Sequence, residues 1–460
     1  MTGLALSGDS TFYKEWDLSR ALYPRLQVRD TWEKPPPTND DVVTGPSDIG
    51  FISDLDFTQD GKVLAASSTN NDVYVFATNS GKLKFWIPKA HSNAVTRVKF
   101  VNNYQFVTGS ADCTLGLWDL RNPKIPVNIL RGHGTPIRSI DFDDNSDMLV
   151  TSSQDGHLRY WHLPTFQLSG ENQVNNVSQD NDEVARVRGV LLTCPNFNLA
   201  CISSVCNKAV CTNAHGNVYV IDNLDLSKLK DDLKNVRFDE TLKMQLSWFH
   251  PNASLNKTNK VRVIASEDYS PVSRAMVSNI TYIVFHPTLP LLLMRITTSM
   301  RTQFRQEMKD WTCICNLQQQ LCLGGNLFSK SSFGSDVLEE TLLFVSEEVR
   351  FASYREKRAC FSRCGRLIAS PDKHGVRLLS FSTNMDTCNI HSSRPKVPHF
   401  MTSELSMPTF WPTGPSQLTV VGRFEKAVNS TMCCKFSPLD VLLAVGDSSG
   451  CVQFYQPRIA

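Results

Sequence analysis

Hydrophobic residues recur along this chain in pairs of short apolar runs, each pair joined by a polar turn. Residues 55–68, "LDFTQDGKVLAASS", and residues 434–447, "CKFSPLDVLLAVGD", are two examples from opposite ends of the chain. The pattern occurs seven times in one register, with an apolar anchor in the first run and a second apolar residue seven positions later. The pairs are Phe57 and Leu64, Phe100 and Val107, Phe142 and Leu149, Leu192 and Leu199, Phe285 and Leu292, Phe361 and Ile368, and Phe436 and Leu443. Runs of this length predict pairs of short strands.

Most copies continue into a third run of alternating residues, such as "CTLGLWD" and "GNVYVID". The first three anchors are 43 and 42 residues apart, which matches the period of about 40–45 residues for a four-stranded propeller blade. The later intervals of 50, 93, 76 and 75 residues indicate the same unit with insertions. One unit cannot bury its own apolar face, so the seven must pack around an axis into a closed ring. We therefore predict an all-β fold, a seven-bladed β-propeller over residues 41–460.

Two segments fall outside the repeat. Residues 223–275 are polar and lysine-rich without strand alternation, and they predict a flexible insertion between blades 4 and 5. Residues 1–40 predict an N-terminal extension with a short helix that is capped at Ser10 and stops at Pro24. The sequence "DVVT" at residues 41–44 then supplies the predicted outer strand of blade 7, which would close the ring.

Charge and cysteine content narrow the classes of function. Lys and Arg number 47 against 45 Asp and Glu, so the net charge of +2 supplies little field for holding a polyanion, and we expect no direct nucleic-acid binding. No apolar run approaches the ~20 residues of a membrane helix, so no membrane partner is expected. The start of the chain does not read as a secretory signal, so we expect the cytoplasm, the nucleus or both. The 14 cysteines lack matched metal-ligand spacing, so neither metal nor cofactor is expected.

The second and third copies share a set of polar residues at the same spacing. His91, Ser110, Asp112 and Trp118 match His133, Ser153, Asp155 and Trp161. With these residues the chain resembles the WD40-repeat family, which implies the propeller fold. In that family the aspartate orients the histidine, and the histidine bonds the serine and the indole. We therefore expect a structural role rather than a hydrolase triad, because the same trio recurs together with a tryptophan.

The sequence "WDLR" at residues 118–121 ends the third strand of the second copy. It places Arg121 two residues after Asp119, where the chain turns toward the bottom rim of the predicted propeller. A guanidinium there is suited to a partner's carboxylate or backbone oxygen atoms. A bond from Arg121 to its own loop is the purely structural alternative.

This motif resembles the WDxR pattern of the substrate receptors of cullin-4 RING ubiquitin ligases, the cullin-4-associated factors. Residues 289–296, 359–381 and 434–460 also resemble one member of that group. The resemblance implies that Asp119 and Arg121, with the helix residues Trp16 and Leu22, bind the triple-propeller adaptor of these ligases, a protein of the damage-specific DNA-binding type. The third copy departs from the pattern, because "WHLP" places His162 and Pro164 where the motif has aspartate and arginine.

The same resemblance implies a non-enzymatic receptor whose top face holds a protein substrate for ubiquitination. The top-face positions are Asn93, Ala111, Thr135 and Gln154, each of which is also readily explained as a solvated loop residue. A general WD40 interaction scaffold in a complex unrelated to ubiquitin is the alternative, and it explains the repeat equally well. An enzyme lacks support, since the sequence contains no P-loop, no HExxH and no GxGxxG after a strand.

Overall fold

The computed structural model describes sixteen stretches of the chain in which every regular element is a β-strand. No α-helix with the length and hydropathy needed to cross a bilayer occurs in these stretches. They are residues 26–33, 50–163, 187–193, 197–203, 205–213, 218–222, 261–265, 275–301, 306–317, 342–348, 357–363, 365–372, 375–380, 416–425, 430–439 and 442–457. The predicted all-β class is confirmed for this part of the chain.

The first three sheets each contain four antiparallel strands that follow one another along the chain. Sheet 1 consists of β2 (Ile52–Phe57), β3 (Val63–Ser68), β4 (Val73–Ala77) and β5 (Lys82–Ile87). Sheet 2 consists of β6 (Val95–Phe100), β7 (Gln105–Ser110), β8 (Leu115–Asp119) and β9 (Asn128–Leu130). Sheet 3 consists of β10 (Ile137–Asp143), β11 (Met148–Ser153), β12 (His157–His162) and β13 (Val187–Thr193).

Four further sheets are built from the rest of the described chain. Sheet 4 consists of β14 (Phe197–Ser203), β15 (Lys208–Asn213), β16 (Val218–Asp222) and β17 (Val261–Ala265). Sheet 5 consists of β18 (Ala275–Phe285), β19 (Leu291–Arg301), β20 (Gln306–Asn316) and β21 (Leu342–Glu348), with β25 (Ser416–Gln417) parallel to β21. Sheet 6 consists of β22 (Cys360–Phe361), β23 (Leu367–Pro371), β24 (Gly375–Ser380) and β26 (Thr419–Glu425). Sheet 7 consists of β27 (Thr431–Phe436), β28 (Leu443–Asp447), β29 (Val452–Pro457) and β1 (Leu26–Trp32).

Apolar side chains fill the spaces between successive sheets, which is the arrangement of a β-propeller. Trp118 and Phe106 of sheet 2 pack against Val75 of sheet 1, and similar clusters join sheets 2 and 3, 4 and 5, 5 and 6, 6 and 7, and 7 and 1. Sheet 3 is joined to sheet 4 by contacts between β10 and β14. The core therefore runs around the molecule between the sheets, and each sheet depends on two neighbours.

Charged side chains on the first strands tie neighbouring sheets together. The Asp56 carboxylate accepts the backbone N–H of Phe100 at 2.8 Å and is paired with Lys435 Nζ at 2.9 Å. Asp141 accepts the backbone N–H of Ile202 at 2.9 Å and is paired with Lys99 Nζ at 3.1 Å. These bonds tie the first strands of sheets 1, 2, 3, 4 and 7 to their neighbours.

Ring closure by the N-terminal part of the chain uses a different segment from the one predicted. Strand β1, not the "DVVT" at residues 41–44, pairs antiparallel with β29 as the fourth strand of sheet 7. The alternation in "LQVRDTW" is an equally good strand pattern that lies close behind Pro24. The boundary predicted at residue 40 is therefore wrong, because residues 26–32 are part of the propeller. The predicted helix lies outside the described residues.

The fourth repeat was predicted one strand out of place. Leu192 lies in β13 and pairs with Leu158, so it belongs to the outer strand of sheet 3 and is not the anchor of sheet 4. The polar run before Phe197 resembles a hairpin turn in sequence but connects two sheets. The interval 223–275, predicted to contain no strand, includes β17, which pairs with β16. That part of the prediction is wrong, because "VRVIA" does alternate over a few residues; residues 223–260 lie outside the described ranges.

Candidate interaction faces

The strand order defines two faces of the propeller. The bottom face carries the connections between the first and second strands and between the third and fourth strands of each sheet. The top face carries the connections between the second and third strands and from each sheet to the next. Because consecutive strands run antiparallel, residues in these two sets of connections lie at opposite ends of the sheets.

A buried chain of hydrogen bonds links the top of sheet 2 to its interior. The Asp112 carboxylate lies 3.1 Å from His91 Nδ1, and His91 Nε2 lies 2.7 Å from the Thr108 hydroxyl. Trp118 Nε1 donates to the same hydroxyl at 2.8 Å. An ionised aspartate can only accept, so we assign the histidine proton to Nδ1, and Nε2 then accepts the hydroxyl proton of Thr108. The set therefore satisfies buried polar groups, which is a structural task.

Ser110 does not occupy the position predicted for it in this chain of bonds. Thr108, two residues earlier, supplies the bridging hydroxyl, because it lies beside Gly116 on β8 and so within reach of the indole of Trp118. The Ser110 hydroxyl instead donates to the backbone carbonyl groups of Asn93 and Ala94, both at 3.0 Å. Ser110 thus ties the connection before β6 to the end of β7. The sequence signal for Thr108 is a hydroxyl residue ten positions before the tryptophan.

Sheet 3 repeats this arrangement with Thr151 as the bridging hydroxyl. His133 lies 2.8 Å from Asp155 and 2.9 Å from Thr151, and Trp161 Nε1 donates to Thr151 at 2.8 Å. Ser153 again serves the backbone, since its hydroxyl donates to the carbonyl group of Thr135 at 2.8 Å. Burial alone would raise the pKa of Asp155, but hydrogen bonds from His133 and from backbone N–H groups lower that pKa to about 2. The same balance lowers the pKa of Asp112.

Arg121 lies on the bottom face, just after β8, and is held by Asp119. Its Nε donates to Asp119 Oδ1 at 2.8 Å, its Nη2 donates to Oδ2, and its backbone N–H also donates to Oδ1 at 2.9 Å. Burial raises the pKa of Asp119, but the bonds from Arg121 outweigh that effect and lower it. The local bond that the sequence left as an alternative is therefore present.

This bond orients the Arg121 guanidinium without covering it. The arginine side chain is 42% exposed, and its Cζ lies 5.1 Å from the ring centre of Tyr104, which is within the distance of a cation–π contact. Tyr104 is itself 57% exposed in the connection between β6 and β7. In the described part of the chain, Nη1 has no acceptor. Sequence reasoning missed Tyr104, although its position in a bottom connection was predictable from the repeat.

Exposed apolar side chains are concentrated on the same face. Bottom connections carry five of the nine large hydrophobic residues that are exposed in the described ranges, and the other four lie in or next to outer strands; none lies in a top connection within those ranges. The five are Tyr104, Ile125, Val205, Leu289 and Leu439. Tyr104 and Ile125 belong to the same sheet as Arg121, whereas the other three lie singly in sheets 4, 5 and 7, and single exposed apolar residues are normal. The bottom of sheet 2 is therefore the better candidate for a stable interface.

The four predicted top-face positions form two small clusters. Asn93 and Ala111 meet where the Ala111 N–H donates to the carbonyl group of Ala94, next to Asn93, at 2.9 Å. The Thr135 hydroxyl lies 2.6 Å from that of Ser153, which precedes the exposed Gln154. Three of the four residues, Asn93, Thr135 and Gln154, are polar, and Ala111 is small. Trp16 and Leu22, predicted for the bottom interface, lie outside the described residues.

In the part of the chain that the structure describes, no group of three or more His, Cys, Asp or Glu side chains could hold a metal ion. The ten cysteines described there are free thiols.

Comparison with family models identifies two of the repeats predicted from the sequence. The family model for the WD domain, G-beta repeat, matches residues 81–119 and 124–162. The chain carries WD40 repeats. Each matched WD40 repeat begins in the region of the outer strand of one sheet and ends with the third strand of the next. Each WD40 repeat therefore supplies strands to two neighbouring sheets. In the same way, β1 from the N-terminal part of the chain supplies the outer strand of sheet 7.

Across about nine-tenths of its length the chain is similar to proteins named DDB1- and CUL4-associated factor 10. The protein of Danio rerio is 25% identical over 442 residues, which cover 92% of this chain and 77% of that protein. The Xenopus tropicalis protein is 24% identical and the alignment covers 89% of this chain and 85% of that protein. The Homo sapiens protein is 24% identical, with 89% and 70% covered. The resemblance seen in the sequence is thereby confirmed.

Proposed function

We propose that this chain is a substrate receptor of a cullin-4 ubiquitin ligase. The observation that carries the proposal is similarity across about nine-tenths of the chain to proteins whose name associates them with DDB1 and CUL4. In this proposal the protein does no chemistry itself and brings a protein substrate near the ubiquitin-loading subunits. The seven sheets act as the seven blades of one closed propeller, and the protein works in the cytoplasm, the nucleus or both.

The bottom face is the proposed docking surface for DDB1. Support comes from Arg121, whose guanidinium is oriented by Asp119 and remains exposed beside Tyr104. A preoriented arginine next to an aromatic ring is the type of group that dominates binding energy at protein interfaces. The N-terminal helix with Trp16 and Leu22 completes this surface in the proposal.

The top face is the proposed substrate surface, with Asn93, Ala111, Thr135 and Gln154 at its edge. Its supporting observation is that Asn93, Thr135 and Gln154 are polar, since interfaces that exchange partners are more polar than permanent ones. The hydrogen-bonded histidines beneath them hold the loops in place.

The test is a binding measurement between the full chain and purified DDB1, with the arginine variant Arg121→Ala. We expect DDB1 affinity to fall by about 2 kcal/mol or more, roughly 30-fold, if the arginine is a hot spot. Arg423→Ala is the matched control, because Arg423 is also exposed but lies on β26, the outer strand of sheet 6. Equal binding by Arg121→Ala and wild type would remove Arg121 from the interface.

A second variant tests the N-terminal helix and has to respect the ring closure. Removal of residues 1–24 deletes the predicted helix and leaves β1 intact, whereas removal of residues 1–33 would also delete the fourth strand of sheet 7. We expect the shorter truncation to weaken DDB1 binding with the propeller still folded. If the intact chain does not bind DDB1, the ligase proposal fails and a general WD40 scaffold becomes the better account.

A further inference from the structure

A row of exposed aliphatic side chains extends up from the bottom face along the edge of sheet 2. Ile125, Val127 and Ile129 are 67%, 43% and 45% exposed. They alternate with residues that are less exposed, the last of which, Leu130, is buried in the core between sheets 2 and 3. The alternation shows that one side of this edge packs into the propeller and the other presents aliphatic groups to solvent.

Two other outer strands expose polar side chains. Strand β5 of sheet 1 exposes Lys82 and Lys84 beside Trp86, and β1 of sheet 7 exposes Gln27 and Thr31. Polar and charged residues at sheet edges protect a protein against unwanted pairing. The edge of sheet 2 carries no charge from Ile125 to Leu130, while Pro126 and the short strand β9 oppose pairing with another strand. Aliphatic side chains exposed in succession on such an edge indicate a surface that a partner's side chains cover.

The charges around the row define the chemistry of that partner. Arg121 and Lys124 lie below the row and Arg131 lies above it, and all three are exposed. Residues 120–140 contain no aspartate or glutamate, and Asp119, just before them, is paired with Arg121. The complementary partner is a segment with apolar side chains in its middle and carboxylates near its ends.

The row is continuous with the proposed docking surface. The Val127 N–H donates to the carbonyl group of Leu117 at 2.7 Å, which places Val127 two residues up β8 from Asp119. Ile125 follows Arg121 by four residues in the same connection, and Arg121 lies over Tyr104. A partner that covers Tyr104 and Arg121 on the bottom rim therefore reaches Ile125 next.

We infer that Ile125, Val127 and Ile129 bind an acidic, apolar segment of DDB1, as an extension of the interface centred on Arg121. This inference rests on the proposed function, because it assigns the row to the same partner. It accounts for how a receptor with one WDxR motif gains contact area: the edge of sheet 2 supplies aliphatic surface beside the single arginine.

The first experiment measures the dissociation constant for DDB1 with the double variant Val127→Ser/Ile129→Ser in the full chain. We expect affinity to fall about tenfold or more, because two half-exposed aliphatic groups no longer bury area at the interface. Val420→Ser is the matched control, since Val420 is 43% exposed on β26, the outer strand of sheet 6, and should bind as wild type does. Unchanged melting temperatures verify that the variants fold.

The second experiment tests the charge of the partner at Ile125. We expect Ile125→Asp to weaken DDB1 binding several-fold more than Ile125→Lys, and the difference to shrink as salt concentration rises. Equal losses in the two variants would overturn the acidic character of the segment.

The outcomes separate this inference from the proposed function. If wild type binds DDB1 and Val127→Ser/Ile129→Ser binds equally well, the inference is wrong and the ligase proposal stands. If wild type does not bind DDB1, both fail. Analytical sedimentation of the chain alone tests whether a second copy of the chain covers the row instead. A dimer that the double variant abolishes would assign the row to that second copy and overturn the inference.

Discussion

The identity of the bridging hydroxyl in sheet 2 gives a sharp test of the structure against the sequence pattern. Thr108→Val keeps the shape of the side chain and removes its hydroxyl. Two buried groups then lose their partner: the indole N–H of Trp118, at 2.8 Å, and Nε2 of His91, at 2.7 Å. Each buried polar group left unpaired costs about 1–3 kcal/mol, so we expect the free energy of unfolding to fall by about 2–5 kcal/mol.

Ser110→Ala should cost less than Thr108→Val. The partners of Ser110 are backbone atoms of Asn93, Ala94 and Asp112, in a loop whose residues 92 and 93 are exposed to water. The Ala94 carbonyl group keeps the bond from the Ala111 N–H and Asn93 is exposed to water, so we expect a cost of about 1 kcal/mol. Thr108→Ser serves as the rescue variant, because it restores the hydroxyl and should recover most of the stability.

The assay is urea unfolding of the three variants, with amide exchange in β7 and β8 as a local readout. Exchange matters because a propeller can open one sheet before the whole ring unfolds. We expect faster exchange in these strands for Thr108→Val and little change for Ser110→Ala. A larger loss for Ser110→Ala than for Thr108→Val would refute the assignment of Thr108 and restore the pattern read from the sequence.

Three further predictions concern pH and ring closure. Burial lowers the pKa of His286 to about 4, so the unfolded chain takes up a proton at higher pH than the folded chain, and stability should fall as pH drops from about 6.5 to about 4. In urea unfolding at several pH values, His286→Asn should reduce this dependence of stability on pH. An unchanged dependence would contradict the prediction. The pKa of Asp155 is about 2 in the folded chain, so its contribution to the free energy of unfolding is complete above its ordinary pKa and is lost as pH falls toward 2. Asp155→Asn should lower stability at pH 7 and remove this dependence on acid pH. A variant that keeps the dependence would show that other groups are responsible. Removal of residues 1–33 should lower the melting temperature far more than removal of residues 1–24, because only the former deletes β1; equal melting temperatures would show that β1 is dispensable.

Much of the fold could be predicted because one physical rule repeats along the chain. An apolar anchor and its partner seven residues later lie opposite each other in an antiparallel pair, as Phe57 and Leu64 do in sheet 1 and Phe436 and Leu443 do in sheet 7. In sheet 2 the connection is one residue shorter, so Phe100 pairs with Phe106 and not with Val107. Local spacing thus specifies hairpins well.

Local spacing does not specify which sheet a strand joins. Leu192 has the anchor pattern but pairs backward with Leu158, because a polar run can serve either as a hairpin turn or as a connection between sheets. Strand β1 was missed for the same reason: its partner β29 lies at the other end of the chain. Pairing over such distances depends on closure of the ring, which no window of sequence contains.

The candidate site shows the same division between local and distant information. Asp119 and Arg121 are two residues apart, so the motif alone indicated that they interact. Tyr104 lies on a different connection, and its place beside Arg121 follows from the pairing of β7 with β8, where Gln105 lies opposite Asp119. The sequence pattern for the bridging hydroxyl allowed both Thr108 and Ser110, and only the geometry of the two hydroxyls distinguishes them.

Strand β8 links the buried polar set to the bottom face, and this link argues for sheet 2 as the centre of the interface. Trp118 and Asp119 are consecutive, so their side chains point to opposite sides of the strand, and the bond from Trp118 to Thr108 fixes the strand end from which Asp119 orients Arg121. Sheet 3 has the same buried set, but His162 stands where Asp119 stands in sheet 2, so that sheet cannot orient an arginine in this way. A receptor with one such arginine needs contact area from its surroundings, and the exposed Tyr104 and Ile125 lie within the two bottom connections of the same sheet.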